Sequence, residues 1–236
     1  MLVLLVLLFV PHEAFAAATQ SELGALASSL LQQSKPVEAA RTFLEATLLH
    51  PQFAEAYNGL AVSLHQQDQY NQAAETLARC IDLVPACNVH VVHFNRAKSL
   101  RAHGDISAAA GSYSAALSLA PQLAPARLAL AELYNNAKHY AAAAEHAAIA
   151  TGLAPLDPNA YYQLATALRA APNSAPSSMI ARAALETVLT LAPAAPNVYS
   201  QLASLLEGSE AIAAYRAALT LEPSLLSAYT ASVVYL

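Results

Sequence analysis

Proline recurs at positions 51, 85, 121, 155, 193 and 223, at intervals of 34, 36, 34, 38 and 30 residues. Each closes an apolar run, as in ATLLHP, IDLVPA, LSLAPQ and LTLEPS. The last two intervals compensate each other, so the underlying period is 34 with small insertions and deletions. A unit of that length is too small to bury a core alone, because units below roughly 40 residues leave most of their surface exposed. Neighbouring units must stack and cover each other's apolar sides, giving a linear array in place of a single closed core. Composition agrees with helices: alanine is abundant, while only six glycines and no tryptophan argue against a sandwich or barrel with many tight turns.

Inside each interval the same residue types return. The first unit reads Leu23, Leu26, Ala27, Leu30, Ala39, Phe43, Ala46, Pro51, and the second Tyr57, Leu60, Ala61, Leu64, Ala73, Leu77, Cys80, Pro85. The fourth has Leu130, Ala131, Tyr134, Ala143, Ala147, Ala150, Pro155. The fifth has Tyr161, Leu164, Ala165, Leu168, Ala181, Leu185, Val188, Pro193, and the sixth Tyr199, Leu202, Ala203, Leu206, Ala211, Tyr215, Ala218, Pro223. Residues such as Leu60, Ala61 and Leu64 share one stripe of a helix. Ala61 and Ala73 are small where two helices of a hairpin cross. The proline stops the second helix by lacking an N–H and crowding the preceding turn.

This pattern resembles the tetratricopeptide repeat (TPR) family. The resemblance implies an all-α, right-handed superhelical solenoid of tandem antiparallel helix hairpins. The units run at about 20–53, 54–87, 90–123, 124–157, 158–195 and 196–225, with a truncated seventh over 226–236. The third unit departs from the pattern with His93 and Arg96 at apolar places, and the fourth carries Arg127 at another. The two extra residues of the third unit fall between Pro85 and the helix containing His93. In the fifth, four extra residues around 171–176 predict a loop between its helices. The sixth lacks four residues, leaving Glu207 to Glu210 as its turn, so the local twist over 168–211 should be irregular.

The ends are expected to behave differently. Leu2 to Val10 is continuously apolar, Pro11 follows, and Ala14-Phe15-Ala16 precedes Ala17. Residues 1–16 therefore read either as a signal peptide without a basic start, or as a buried helix of a larger protein. The run is too short to span a membrane, which takes about 20 residues. The compartment stays open between cytoplasmic and secretory. The closing SAYTASVVYL is apolar where a terminal repeat needs a polar cap, so the natural protein is expected to continue past Leu236, and uncapped ends could self-associate.

Hydrophobic residues make up 56% and charged residues 11%, against roughly 45–50% and 25% in typical soluble domains. The net charge is −5 with 11 Lys+Arg. No basic face is available to neutralise phosphates, so nucleic acid is excluded as a partner. So little charge predicts either poor solubility or burial of one face by a partner.

No phosphate-binding glycine loop, dinucleotide fingerprint, nucleophile elbow or zinc-protease motif occurs. Cys80, Cys87, His90 and His93 lie within fourteen positions and are the ligand types that zinc prefers. They also read as a Cys80–Cys87 disulfide, or as residues filling small packing places, since free cysteine behaves as a small apolar residue. No catalytic residue, metal or cofactor is expected.

By resemblance to the family, the first helix of each hairpin lines a concave groove that takes a protein or peptide partner. The groove-facing places hold Asn58, Phe94, Leu128 and Tyr162, then Asn95 and Gln163, then Lys98 and Glu132, then His65, Arg101, Asn135 and Arg169. Phe94, Leu128 and Tyr162 form an apolar strip flanked by amides and a few cations, fit for an extended peptide or a helix. Chaperone-binding members hold a terminal carboxylate with Lys and Asn, but those places here are Gly24, Ser28, Asn58 and Val62. The asparagine ladder of the O-linked N-acetylglucosamine transferase array is broken too, with only Asn95, Gln163 and Gln201 at comparable places. The expected function is a protein-interaction scaffold or adaptor. The alternative is a substrate-recruiting arm of an enzyme, such as a glycosyltransferase or hydroxylase, with its catalytic domain beyond Leu236.

Overall fold

The computed structural model describes residues 19–170 and 175–225, in which there are twelve α-helices and no strand. The chain divides into two compact units, Met1–Ala120 and Pro121–Leu236. The first holds α1 (Gln20–Gln32), α2 (Pro36–Leu49), α3 (Ala54–His65), α4 (Tyr70–Leu83), α5 (His90–His103) and α6 (Ile106–Leu119). The second holds α7 (Ala124–Asn136), α8 (Tyr140–Leu153), α9 (Pro158–Ala170), α10 (Ala175–Leu191), α11 (Pro196–Ala203) and α12 (Gly208–Leu221). Consecutive helices pack as hairpins, and within each unit every hairpin also packs on the next.

The prolines act through the residue before them. A proline ring crowds its predecessor out of the helical region. His50, Val84, Ala120, Ala154 and Glu222 accordingly sit at φ −123° to −140° and ψ 71° to 105°. Each still donates its N–H to the carbonyl four residues back, so the helix closes cleanly one residue before the break.

The tight turns inside the first four hairpins share another device. Ser34, Asp68, Gly104 and Lys138 adopt positive φ, at 56°, 59°, 97° and 62°. Their N–H groups bond Leu31, His65, Arg101 and Asn135 carbonyls, and the next N–H in each case reaches back to Leu30, Leu64, Leu100 and Tyr134 at 2.8–3.0 Å. This is the Schellman pattern, which satisfies carbonyls a helix end would otherwise orphan. Only Gly104 occupies it without a Cβ penalty. A left-handed conformation costs a residue with a side chain roughly 1–2 kcal/mol, and glycine's extra unfolded-state entropy returns about half of that. Lys138 is exposed there, so Lys138→Gly should stabilise the protein by about 0.5–1 kcal/mol. A urea melt followed by circular dichroism would show the shift, and a loss of stability would refute it.

Packing follows the register of small residues. Ala27, Ala61, Ala97, Ala131, Ala165 and Ala203 on the first helices, and Ala39, Ala73, Ala109, Ala143, Ala181 and Ala211 on the second, are at most 1% exposed. Phe43, Leu77, Tyr113, Leu185 and Tyr215 are buried at a third shared place. The fourth hairpin has the smaller Ala147 there, and in the same hairpin Tyr134 stacks on His146, ring centroids 5.6 Å apart.

Two expectations change. Leu26, assigned to the packed stripe, is 45% exposed, because α1 is the first described helix and no described hairpin covers that side. The first helix of the sixth unit stops at Ala203, so its turn takes residues 204–207 and α12 starts at Gly208. The missing four residues are removed from α11, which has only eight, and Leu206 is buried from the turn instead of from a helix. In the third unit the two extra residues are absorbed by a short 3₁₀ turn, Pro85–Cys87, and the segment leading to His90. The loop expected around 171–176 falls largely outside the described residues, although α10 already begins at Ala175. The leader 1–16 and the truncated seventh unit, 226–236, also lie outside them.

Candidate functional site

In the first unit an open groove of about 960 Å³ lies between α1 and α3. Ser21, Gly24 and Ser28 line it from α1, Asn58 and Val62 from α3, and Phe53 from the turn before α3. Glycine is needed on both helices. A Cβ on Gly24 would come within 2.9 Å of the Phe53 ring, and one on Gly59 would run into the Phe43 ring. Glu55 is the one charged residue among the described residues of the lining.

Further along the same unit, first helices meet through polar side chains. Asn95 on α5 donates to Asn58 Oδ1 on α3 at 2.8 Å. His65 Nδ1 lies 3.1 Å from the buried Ser99 hydroxyl. Burial lowers the His65 pKa from its ordinary 6.5, nearby Lys98 lowers it further, and Asp68 partly opposes both. Phe94 packs edge-on to Tyr113, 5.6 Å between centroids, and is half-buried, while Lys98 and Arg101 are exposed.

The second unit has its own line of contacts. Asn135 donates from α7 to the Gln163 backbone and side-chain oxygens on α9, at 3.0 and 2.8 Å. Gln201 on α11 donates to the Tyr162 hydroxyl at 2.9 Å, and Arg169 to the Ser204 hydroxyl at 3.0 Å. Burial draws the Arg169 guanidinium below its ordinary pKa, with Tyr162 and Tyr215 opposing. Leu128, Tyr162, Gln163 and Arg169 are half-buried, but Asn135 is only 8% exposed and its amide N–H groups are spent on Gln163. Asn135 thus acts between helices, holding α7 to α9.

The structure therefore joins Asn58 to Asn95, Asn135 to Gln163, and Tyr162 and Arg169 to residues of the next hairpin. Sequence reasoning overlooked Ser99, Gln201 and Ser204 as those partners. It met Gly24, Ser28 and Val62 only as the places of an absent carboxylate clamp, where the structure makes them walls of one groove.

The Cys80 and Cys87 sulfurs are bonded to each other, with Cα atoms 5.6 Å apart, inside the range a disulfide spans. His93 Nε2 lies 2.9 Å from Asn88 Oδ1. Among the described residues no group of three or more His, Cys, Asp or Glu gathers where it could hold a metal ion. No helix of the described residues is long and apolar enough to cross a membrane.

Hairpins of this register, closed by proline and, within each unit, packed on the next, define a helical-repeat protein. The tetratricopeptide repeat model matches residues 25–86 and 94–158, more than half of the sequence, and the chain belongs to that family. No curated protein matches it. Among solved structures, YrrB, "a TPR protein with an unusual peptide-binding site", superposes with a TM-score of 0.74 at 14% identity, over 82% of this chain and 99% of that one. The pilF protein of Pseudomonas aeruginosa superposes with a TM-score of 0.72 at 16% identity, over 91% and 97%. The Cut9–Hcn1 hetero-tetramer of the APC/C gives 0.63 at 19% identity, over 95% of this chain, which spans 44% of that one. At these identities the likeness establishes the fold, an all-α solenoid of helix hairpins. The family is one of protein–protein interaction, and proteins of this fold are typically non-catalytic scaffolds.

Proposed function

We propose that the chain is a scaffold or adaptor that binds a peptide segment of a partner protein along its first helices, with the groove between α1 and α3 as an anchoring site. The observation that carries this reading is the groove's nearly neutral described lining, three hydroxyls and two amides around apolar walls. An open groove of this size has room for several side chains of a peptide segment. Hydroxyls and amides at its edge can bond a peptide backbone, and burial of an apolar or aromatic side chain against Phe53 and Val62 supplies the affinity. A charged anchor would lose its hydration there and find no opposite charge except, for a cation, Glu55. The segment that fits thus presents an uncharged apolar anchor, in contrast to the terminal carboxylate of the chaperone-binding members.

The test uses a peptide selected from a displayed random library on the whole chain, titrated calorimetrically. Ser28 is exposed on α1, so Ser28→Arg should leave the melting temperature unchanged and weaken binding at least tenfold. Equal affinity of Ser28→Arg and the parent, or selection of peptides with an acidic anchor, would overturn the assignment.

A further inference from the structure

The junction between α4 and α5 is unlike the others. At four other junctions the helix begins three residues after the proline, at Ala54, Ala124, Pro158 and Pro196, whereas α5 begins five residues after Pro85. Two residues past the proline, the first junction places Phe53, 8% exposed, in the core of the first hairpin. The corresponding residue after Pro85 is Cys87, which has little side chain to bury yet is 0% exposed. It is held by its bond to Cys80, also 0% exposed, inside a cluster with Tyr57, Ala73, Leu77 and Val92. Cys80 stands where hairpins 1, 3, 4 and 6 carry Ala46, Ala116, Ala150 and Ala218, so its packing place requires no thiol.

We infer that the Cys80–Cys87 bond is a redox staple that takes over, at this lengthened junction, the anchoring that Phe53 provides at the first junction, so that α5 is fully docked on α3 and α4 only in the oxidised protein. Its formation balances by exchange with a small-molecule disulfide. One cysteine thiolate attacks the reagent and expels a thiol; the second then displaces the other half from the mixed disulfide. The two cysteine protons end on the two released thiols. A dithiol reductant reverses both steps, and because both sulfurs are buried it must await an opening of the junction.

The experiment compares the whole chain oxidised with glutathione disulfide, the same protein reduced with dithiothreitol, and the Cys80→Ala/Cys87→Ala variant. Thiol titration of the oxidised sample in guanidinium should find no free thiol, and two would overturn the staple. Hydrogen exchange of the α5 amides should speed at least tenfold on reduction and in the variant, while α9 stays unchanged. Unchanged α5 protection would overturn the inference, as would a variant that still responds to dithiothreitol. The reduced wild-type sample needs no substitution, so a folding defect in the variant cannot mask the result.

Discussion

Leu60→Ala should lower the stability of the first two hairpins by about 2–5 kcal/mol, whereas Leu26→Ala, at the same place in the repeat, should cost less than about 1 kcal/mol. A buried leucine truncated to alanine loses its transfer free energy and leaves a cavity, which together give the larger range. Leu60 is 7% exposed and packs with Leu23, Ala27, Phe43 and Ala46 of the preceding hairpin. Leu26 is 45% exposed, so little surface returns to water on its removal. Repeat arrays unfold locally, which makes a single two-state value a poor measure. Hydrogen exchange resolved to α3 and α1 reads the two effects separately. Similar losses of protection would mean that Leu26 is covered in solution and that the neighbour-covering argument fails.

That pair also marks how far the sequence could be read. The period, the small residues at helix crossings and the proline stops were legible because each acts within one unit, through backbone sterics or side-chain volume at fixed spacing. Position in the array was not, since Leu26 and Leu60 differ only in whether a described hairpin precedes them. The polar contacts escaped for a related reason. Asn58 meets Asn95, Asn135 meets Gln163 and Tyr162 meets Gln201 at separations of 37, 28 and 39 residues. None of these three equals the repeat length, although His65 meets Ser99 at 34; a side chain can reach up or down the neighbouring helix to a partner at another register. A residue assigned by register to a partner surface, such as Asn135, can therefore be consumed by the scaffold. The truncation of α11 was hidden similarly: deleting four residues leaves the pattern of apolar places intact, and only packing decides whether helix or turn gives way.

Ala61→Leu is expected to destabilise the second hairpin by about 3 kcal/mol, near the upper end for overpacking a close-packed interior. Ala61 is 1% exposed on α3 and Ala73 is 0% exposed on α4, and both belong to one core cluster. Side chains this short let two helix backbones approach closely. Three added carbons must displace either α4 or the rings and branches around it, Tyr57, Leu77 and Val84, none more than 6% exposed. The staple at Cys80 lies in the same cluster and limits how far the end of α4 can retreat. Strain should therefore appear in α3 and α4 first, as faster amide exchange there with α9 unaltered. Combining Ala61→Leu with Leu77→Ala should recover part of the loss, because the added and removed volumes nearly match and neighbouring sites couple. Additive losses in the double variant would show that the two residues do not share one packed space, and the hairpin crossing would have to be placed elsewhere.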